Sequence, residues 1–140
     1  MLRLSNIEEY TKVFQPKWCC EMPSGCPPHD ILIPINHQFY RLARENNGYS
    51  SKDFMTYAEL EPNKNWGELL PLAVGLSIID NEAKARKSLK LPIFRKFKGI
   101  ISLLLNESDG VVCQTGVHLS HYTWWRTQSF QMSNLKMLQR

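Results

Sequence analysis

Apolar positions along this chain fall into short unbroken runs and period-two alternations, with helical spacing confined to brief stretches. The run LAVGLSII, residues 72–79, predicts a strand, and KGIISLLL, residues 98–105, is the strongest strand candidate. QFYRLAR, residues 38–44, alternates as a strand does, with Phe39 and Tyr40 near its start. After the NESDG turn, VVCQTG and the region from His118 to Trp125 supply two further strands. Helical spacing shows at Ile7, Tyr10 and Phe14. It shows again from Ser51 to Leu60, where Ser51 is a candidate cap and Phe54, Tyr57 and Ala58 share a side. Asp80 or Asn81 caps a helix over NEAKARKSLK, which Pro92 stops. The tail SNLKMLQR has the apolar residues of a short amphipathic helix in Leu135, Met137 and Leu138.

These elements predict an α+β fold: a small mixed or mainly antiparallel sheet of four to six strands with two or three short helices. The segment from Pro16 to Pro34 holds five prolines and one glycine, which excludes a long helix and predicts an ordered loop anchored by Trp18, Met22 and residues 31–35. Three stretches follow: residues 1–37 as an extension containing prolines and cysteines and packed on the core, 38–130 as a single α+β domain, and 131–140 as a short C-terminal tail.

Composition narrows this picture. A chain of 140 residues fits one core, and four tryptophans, five tyrosines and six phenylalanines exclude a disordered chain. A net charge of +4 tolerates an anionic partner without specifying nucleic acid. No apolar run approaches the length of a bilayer span, so no membrane partner is expected. The opening MLRLSNIEEYTK lacks the apolar segment of a signal peptide, and four cysteines, two of them adjacent, do not form a disulfide framework. Both point to a cytoplasmic location.

Four groups of residues offer chemistry. Cys19, Cys20, Cys26 and His29 are of the right types for zinc, but their spacing lacks a CxxC pair, and no metal site is expected. Cys113 precedes His121 by eight residues on a neighbouring strand, an arrangement open to a thiolate and its base, though a strand cysteine is more often an inert apolar residue. From Lys84 to Lys98 stand seven lysines and arginines and no acid. Phe94 and Phe97 are candidate stacking residues there, yet the run reads better as a solvated helix and its exit loop than as a nucleic-acid site.

The densest cluster is GVHLSHYTWWRTQSF, residues 116–130. On a strand, His118, Ser120, Tyr122 and Trp124 share one face while Leu119, His121, Thr123 and Trp125 share the other. One tryptophan is expected in the core and its neighbour toward a groove or a loop. There an indole stacks on a planar ring and Arg126 meets a phosphate or carboxylate.

An arginine in an early strand (FYRLAR), a GLSIID strand before the capped helix NEAKARK, and the strand and turn ISLLLNESDGVV resemble, in element order, the ADP-ribosyltransferase-like and related NAD-processing α+β domains. The resemblance covers residues 38 to 125 in outline. It implies that Arg41 contacts a phosphate or ribose, that Ser77 lies on the strand supporting a nicotinamide pocket, and that His121 or Tyr122 completes the cleft as the catalytic pair. NAD would then be the substrate. No glutamate stands near the final strand; Glu107 lies in the NESDG turn, so the resemblance bears more on binding than on transfer.

Two functions remain open. In one, a nucleotide or NAD-like ligand lies in a groove lined by Arg41, Ser77, His121, Tyr122, Trp124 and Arg126, with ADP-ribosyl transfer or NAD cleavage as candidate chemistry. In the other, the chain is a non-catalytic interaction module or homodimer whose anchors are Trp18, Tyr49 and Trp66 in the loops.

Overall fold

The computed structural model describes residues 1–138. Along the chain run β1 (Leu2–Asn6), α1 (Ile7–Phe14), β2 (Asp30–Pro34), β3 (His37–Ala43), α2 (Tyr57–Leu60), α3 (Leu70–Ala73), β4 (Leu76–Ile79), α4 (Glu82–Leu89), β5 (Gly99–Leu105), β6 (Gly110–Gln114), β7 (His121–Arg126) and β8 (Leu135–Leu138). All eight strands join one sheet in the order β1-β2-β6-β7-β4-β3-β5-β8, and every pairing is antiparallel.

This corrects the expectation of four to six strands with two or three helices: the described residues are mostly sheet, with eight strands and four short helices. The uncounted strands are β1, β2 and β8. β2 emerges from the proline-rich loop with Pro34 as its last residue. The tail read as an amphipathic helix extends instead, because Leu135 and Met137 pair with Leu103 and Ile101 of β5. Between Ser51 and Leu60 the expected helix divides into a 3₁₀ turn over Ser51–Phe54 and the short α2.

Local signals did place the longer helices. Asn6 accepts from the Glu9 amide at 2.8 Å to cap α1, and Asn81 accepts from Lys84 at 2.9 Å to cap α4. α1 buries Tyr10, and α4 buries Ala85 while leaving its charged side in water.

Side chains alternate across each strand, so the pairing registers sort them by face. One face gathers Leu32, Phe39, Ala43, Leu76, Ile78, Ile101, Leu103, Val112, Trp124 and, from β8, Leu135 and Met137. Beyond the strands, only Phe54 of the 3₁₀ turn and Phe130 of a loop join its buried core. Among the described residues no α-helix contributes a side chain to this core, and yet its central residues are fully buried. The strands must therefore cover one another, and the sheet coils around this inner face. The outer face carries the helices: α1 lays Tyr10 over Ile31, Ile33, Val111 and Trp125, and α4 lies against β3, β4 and β5.

Candidate functional site

Of the cluster that the sequence marked most strongly, residues 121–126 form β7 and send their two tryptophans into the two cores, while Val117 and Leu119 in the turn before the strand are 94% and 82% exposed. Trp124 faces inward and Trp125 outward; they are 0% and 1% exposed. Their indole N–H groups are satisfied internally, Trp124 Nε1 donating to the Asp109 carbonyl at 3.1 Å and Trp125 Nε1 to the Pro71 carbonyl at 2.9 Å. The expectation that one tryptophan would face a groove or loop is therefore corrected. β7 is flanked by β6 and β4 and has a core on each side, so neither indole is left for a ligand.

Close approach of β6 and β7 at this point depends on Gly110. Its φ of 130° lies where side-chain-bearing residues are strained, and a Cβ there would collide with the Trp125 carbonyl.

The remaining predicted residues divide between the faces. Arg41, Tyr122 and Arg126 lie on the inner side with Trp124, whereas His121 and the side chain of Ser77 lie on the outer side. The structure thus brings Arg41 and Arg126 toward one end of the inner face, near Phe54, and separates both from His121 by the sheet itself.

Arg41 has a specific task. β3 pairs with β5 from His37↔Leu105 to Ala43↔Gly99 but meets β4 only at Tyr40↔Ile79. Where β3 diverges from β4, Arg41 bridges the gap: Nη1 donates to the Ser77 carbonyl at 2.7 Å and Nε to the Asp53 carbonyl at 2.6 Å. Burial pushes its guanidinium down to about 10, a loss the charges of Tyr57 and Asp53 partly offset, and it remains a cation at neutral pH. Asp53, itself fully buried, accepts from the Ser50 amide at 2.9 Å and the Arg44 amide at 3.0 Å, and pairs with Arg44 Nη1 at 3.2 Å. This network fastens residues 50–54 over the end of the inner face.

Arg126 places its guanidinium carbon 5.7 Å from the Phe54 ring centre. It borders a cavity of about 40 Å³ with Cys19, Cys20, Thr56 and Glu59, far below the several hundred Å³ typical of a small-molecule site. A larger open hollow of about 270 Å³ lies among Phe14, Gln15, Lys17, Ser108 and Gln128, and none of the predicted site residues lines it.

His121 is held on the outer side, its Nδ1 3.0 Å from the Thr115 carbonyl and 3.1 Å from Thr115 Oγ1. Tyr122 packs edge-on against Phe39, with ring centres 5.5 Å apart. Burial raises its hydroxyl pKa, and the nearby carboxylate of Asp80 adds to the shift.

Cys113 does not meet His121 as a thiolate meets a base. Its Sγ donates to the Asp30 carbonyl at 3.2 Å, and burial pushes the thiol up to about 11. Among the described residues, no group of three or more histidines, cysteines or acids is placed to hold a metal ion. His29 turns to Asp30 at 2.8 Å, while the Cys26 thiol donates to the Pro71 carbonyl at 3.6 Å. The loop anchors Trp18 and Trp66 are half-buried beside Tyr10 and Tyr57, whereas Tyr49 is 45% exposed.

The basic run keeps its chemistry at the surface. Arg86 pairs with Glu82 at 2.9 Å, but no carboxylate among the described residues lies within 4.0 Å of Lys84, Lys87, Lys90, Arg95, Lys96 or Lys98. All six are exposed. Phe97 is half-buried beneath Lys96 and Arg44, whose charged groups lie 5.2 and 5.6 Å from its ring centre. Phe94 is half-buried against Phe97. The candidate stacking rings are thus partly occupied by the protein's own side chains.

Sequence reasoning passed over Leu91 and Ile93, which are 45% and 79% exposed between those cations. The signal was present in Pro92, which ends the helix and leaves the apolar residues around it outside any amphipathic pattern. No family model matches the chain, and no curated protein and no solved structure matches it either. No helix among the described residues is long and apolar enough to cross a membrane.

Proposed function

We propose that the chain is a non-catalytic interaction module that docks on a polyanionic partner through the face running from α4 to the start of β5. The observation that carries this reading is the set of six exposed cations without acidic partners between Lys84 and Lys98. The chain carries +4, of which this segment supplies +7, so the remainder carries −3. Charge separated in this way orients an approaching polyanion toward one face. The nucleotide reading has less support, since Arg41 is engaged with two carbonyls and His121 stands across the sheet from it.

Retention on immobilised heparin tests the proposal. The protein is expected to bind at low salt and elute as NaCl rises toward about 0.5 M, where the Debye length has fallen to about 4 Å. The double variant K90E/K96E should elute at much lower salt, while R3E, on β1, should behave as the unaltered protein. Equal retention of K90E/K96E and the unaltered protein would remove the basis for the reading.

A further inference from the structure

Charge explains only half of the segment KLPIFRKFK, residues 90–98. Its backbone is ordered by a 3₁₀ turn over Pro92–Phe94, with the Phe94 amide donating to Leu91 at 3.0 Å and the Phe97 amide to Phe94 at 2.9 Å. The Lys98 amide donates to the Ala43 carbonyl at 2.8 Å, anchoring the end of the segment to β3. The half-buried Phe94 and Phe97 support the turn from below. Leu91 is 45% exposed, and Ile93, at 79%, has nothing packed over most of its surface and is among the most exposed large apolar side chains of the described residues.

The fold leaves most of the aliphatic surface of Ile93 in water, where contact with an apolar layer is favourable. Phosphates alone would engage Lys90, Arg95, Lys96 and Lys98 and leave the isoleucine in solvent. A surface with both anionic groups and an apolar layer just beneath them satisfies all of these side chains.

We propose that residues 90–98 form a docking loop for an anionic phospholipid bilayer, deepening the polyanion reading on which this inference rests. Lys90, Arg95, Lys96 and Lys98 meet the lipid phosphates and carboxylates, while Leu91 and Ile93 enter the boundary between headgroups and acyl chains. Contact is peripheral and needs no crossing helix. The rigid turn lowers the ordering cost of insertion, since the apolar tip is already presented.

Flotation of the full chain with vesicles of phosphatidylcholine alone, and of phosphatidylcholine with about 30% phosphatidylserine to give a negative surface potential, tests the proposal beside a duplex DNA of about 30 base pairs. Binding should occur on the serine-containing vesicles and be weak on phosphatidylcholine alone. K90E/K96E should lower partitioning by on the order of 100-fold, from the electrostatic gain each cation draws from an anionic surface. L91S/I93S, which removes the apolar surface without changing the charge, should lower it by roughly tenfold or more through the lost insertion, with an unchanged unfolding temperature and unchanged heparin retention.

Equal vesicle binding by L91S/I93S and the unaltered protein would overturn the insertion. Binding to DNA and heparin without binding to vesicles would overturn the lipid assignment and leave the polyanion reading standing. Loss of binding to all three would remove both.

Discussion

Strand β7 and the segment from α4 to β5 both combine cations with large apolar side chains, and they use them in opposite ways. On β7 each indole is buried and each indole N–H finds a carbonyl within 3.1 Å. Around Pro92 the cations lack acidic partners among the described residues, and two aliphatic side chains stand in water. The difference teaches that a dense cluster of chemically capable residues is not itself a site. A side chain whose polar atoms and apolar surface are satisfied within the fold has little left to offer a partner.

Removing a β7 indole should have the largest effect. Trp124→Ala would open a cavity at the centre of the inner core and leave the Asp109 carbonyl with only the Thr127 amide as donor, costing about 3–5 kcal/mol. Urea unfolding followed by circular dichroism measures this. Retention of full stability, together with loss of some binding activity, would place Trp124 among functional residues after all and break the comparison.

Arg41 gives a sharper test because it was read as a ligand contact and is engaged as a brace. Arg41→Ala removes the donors to Ser77 and Asp53 and should cost about 2–3 kcal/mol in the same unfolding measurement, the range for charge-assisted bonds and stranded carbonyls. Arg41→Lys should recover part of that loss. A stable R41A protein would mean that the gap between β3 and β4 needs no bridge.

The smallest expected effect concerns the cysteines, which share the engaged character of β7. Burial is the main cause that pushes Cys26 and Cys113 up to about 11 from an ordinary 9.0. In the folded protein these thiols keep protons that the unfolded chain releases near pH 9. Their contribution to stability is therefore complete below about pH 9 and lost as pH rises through 11. The unfolding temperature should fall across that window, and C26S/C113S should flatten the fall. At neutral pH iodoacetamide should label the exposed Cys19 before either of them; equal labelling rates would show that these thiols are not protected.

Much of the fold was legible where neighbours along the chain decide the conformation. Asn81 caps its helix, the run from Gly99 to Leu105 extends, and the alternation of Tyr122 and Trp124 against His121 and Trp125 matches the two faces of β7. The candidate site was less legible. The basic run was visible, but Leu91 and Ile93 became conspicuous only once their exposure was known. Arg41 gave no sign that it would bridge two strands.

By itself, then, the sequence determined the local conformations, the capped helices and the charge gathered between residues 84 and 98. Those depend on side-chain spacing, caps and ionisation, which act over a few residues. Tertiary structure alone decided that β1, β2 and β8 extend the sheet to eight strands, that both tryptophans are covered, and that Arg41 bridges strands while Ile93 remains exposed. Each of those outcomes depends on a partner distant in sequence, as when Leu135 of β8 finds Leu103 of β5. Periodicity records which side of a segment is apolar; what comes to cover that side is settled only when the sheet coils and the helices pack.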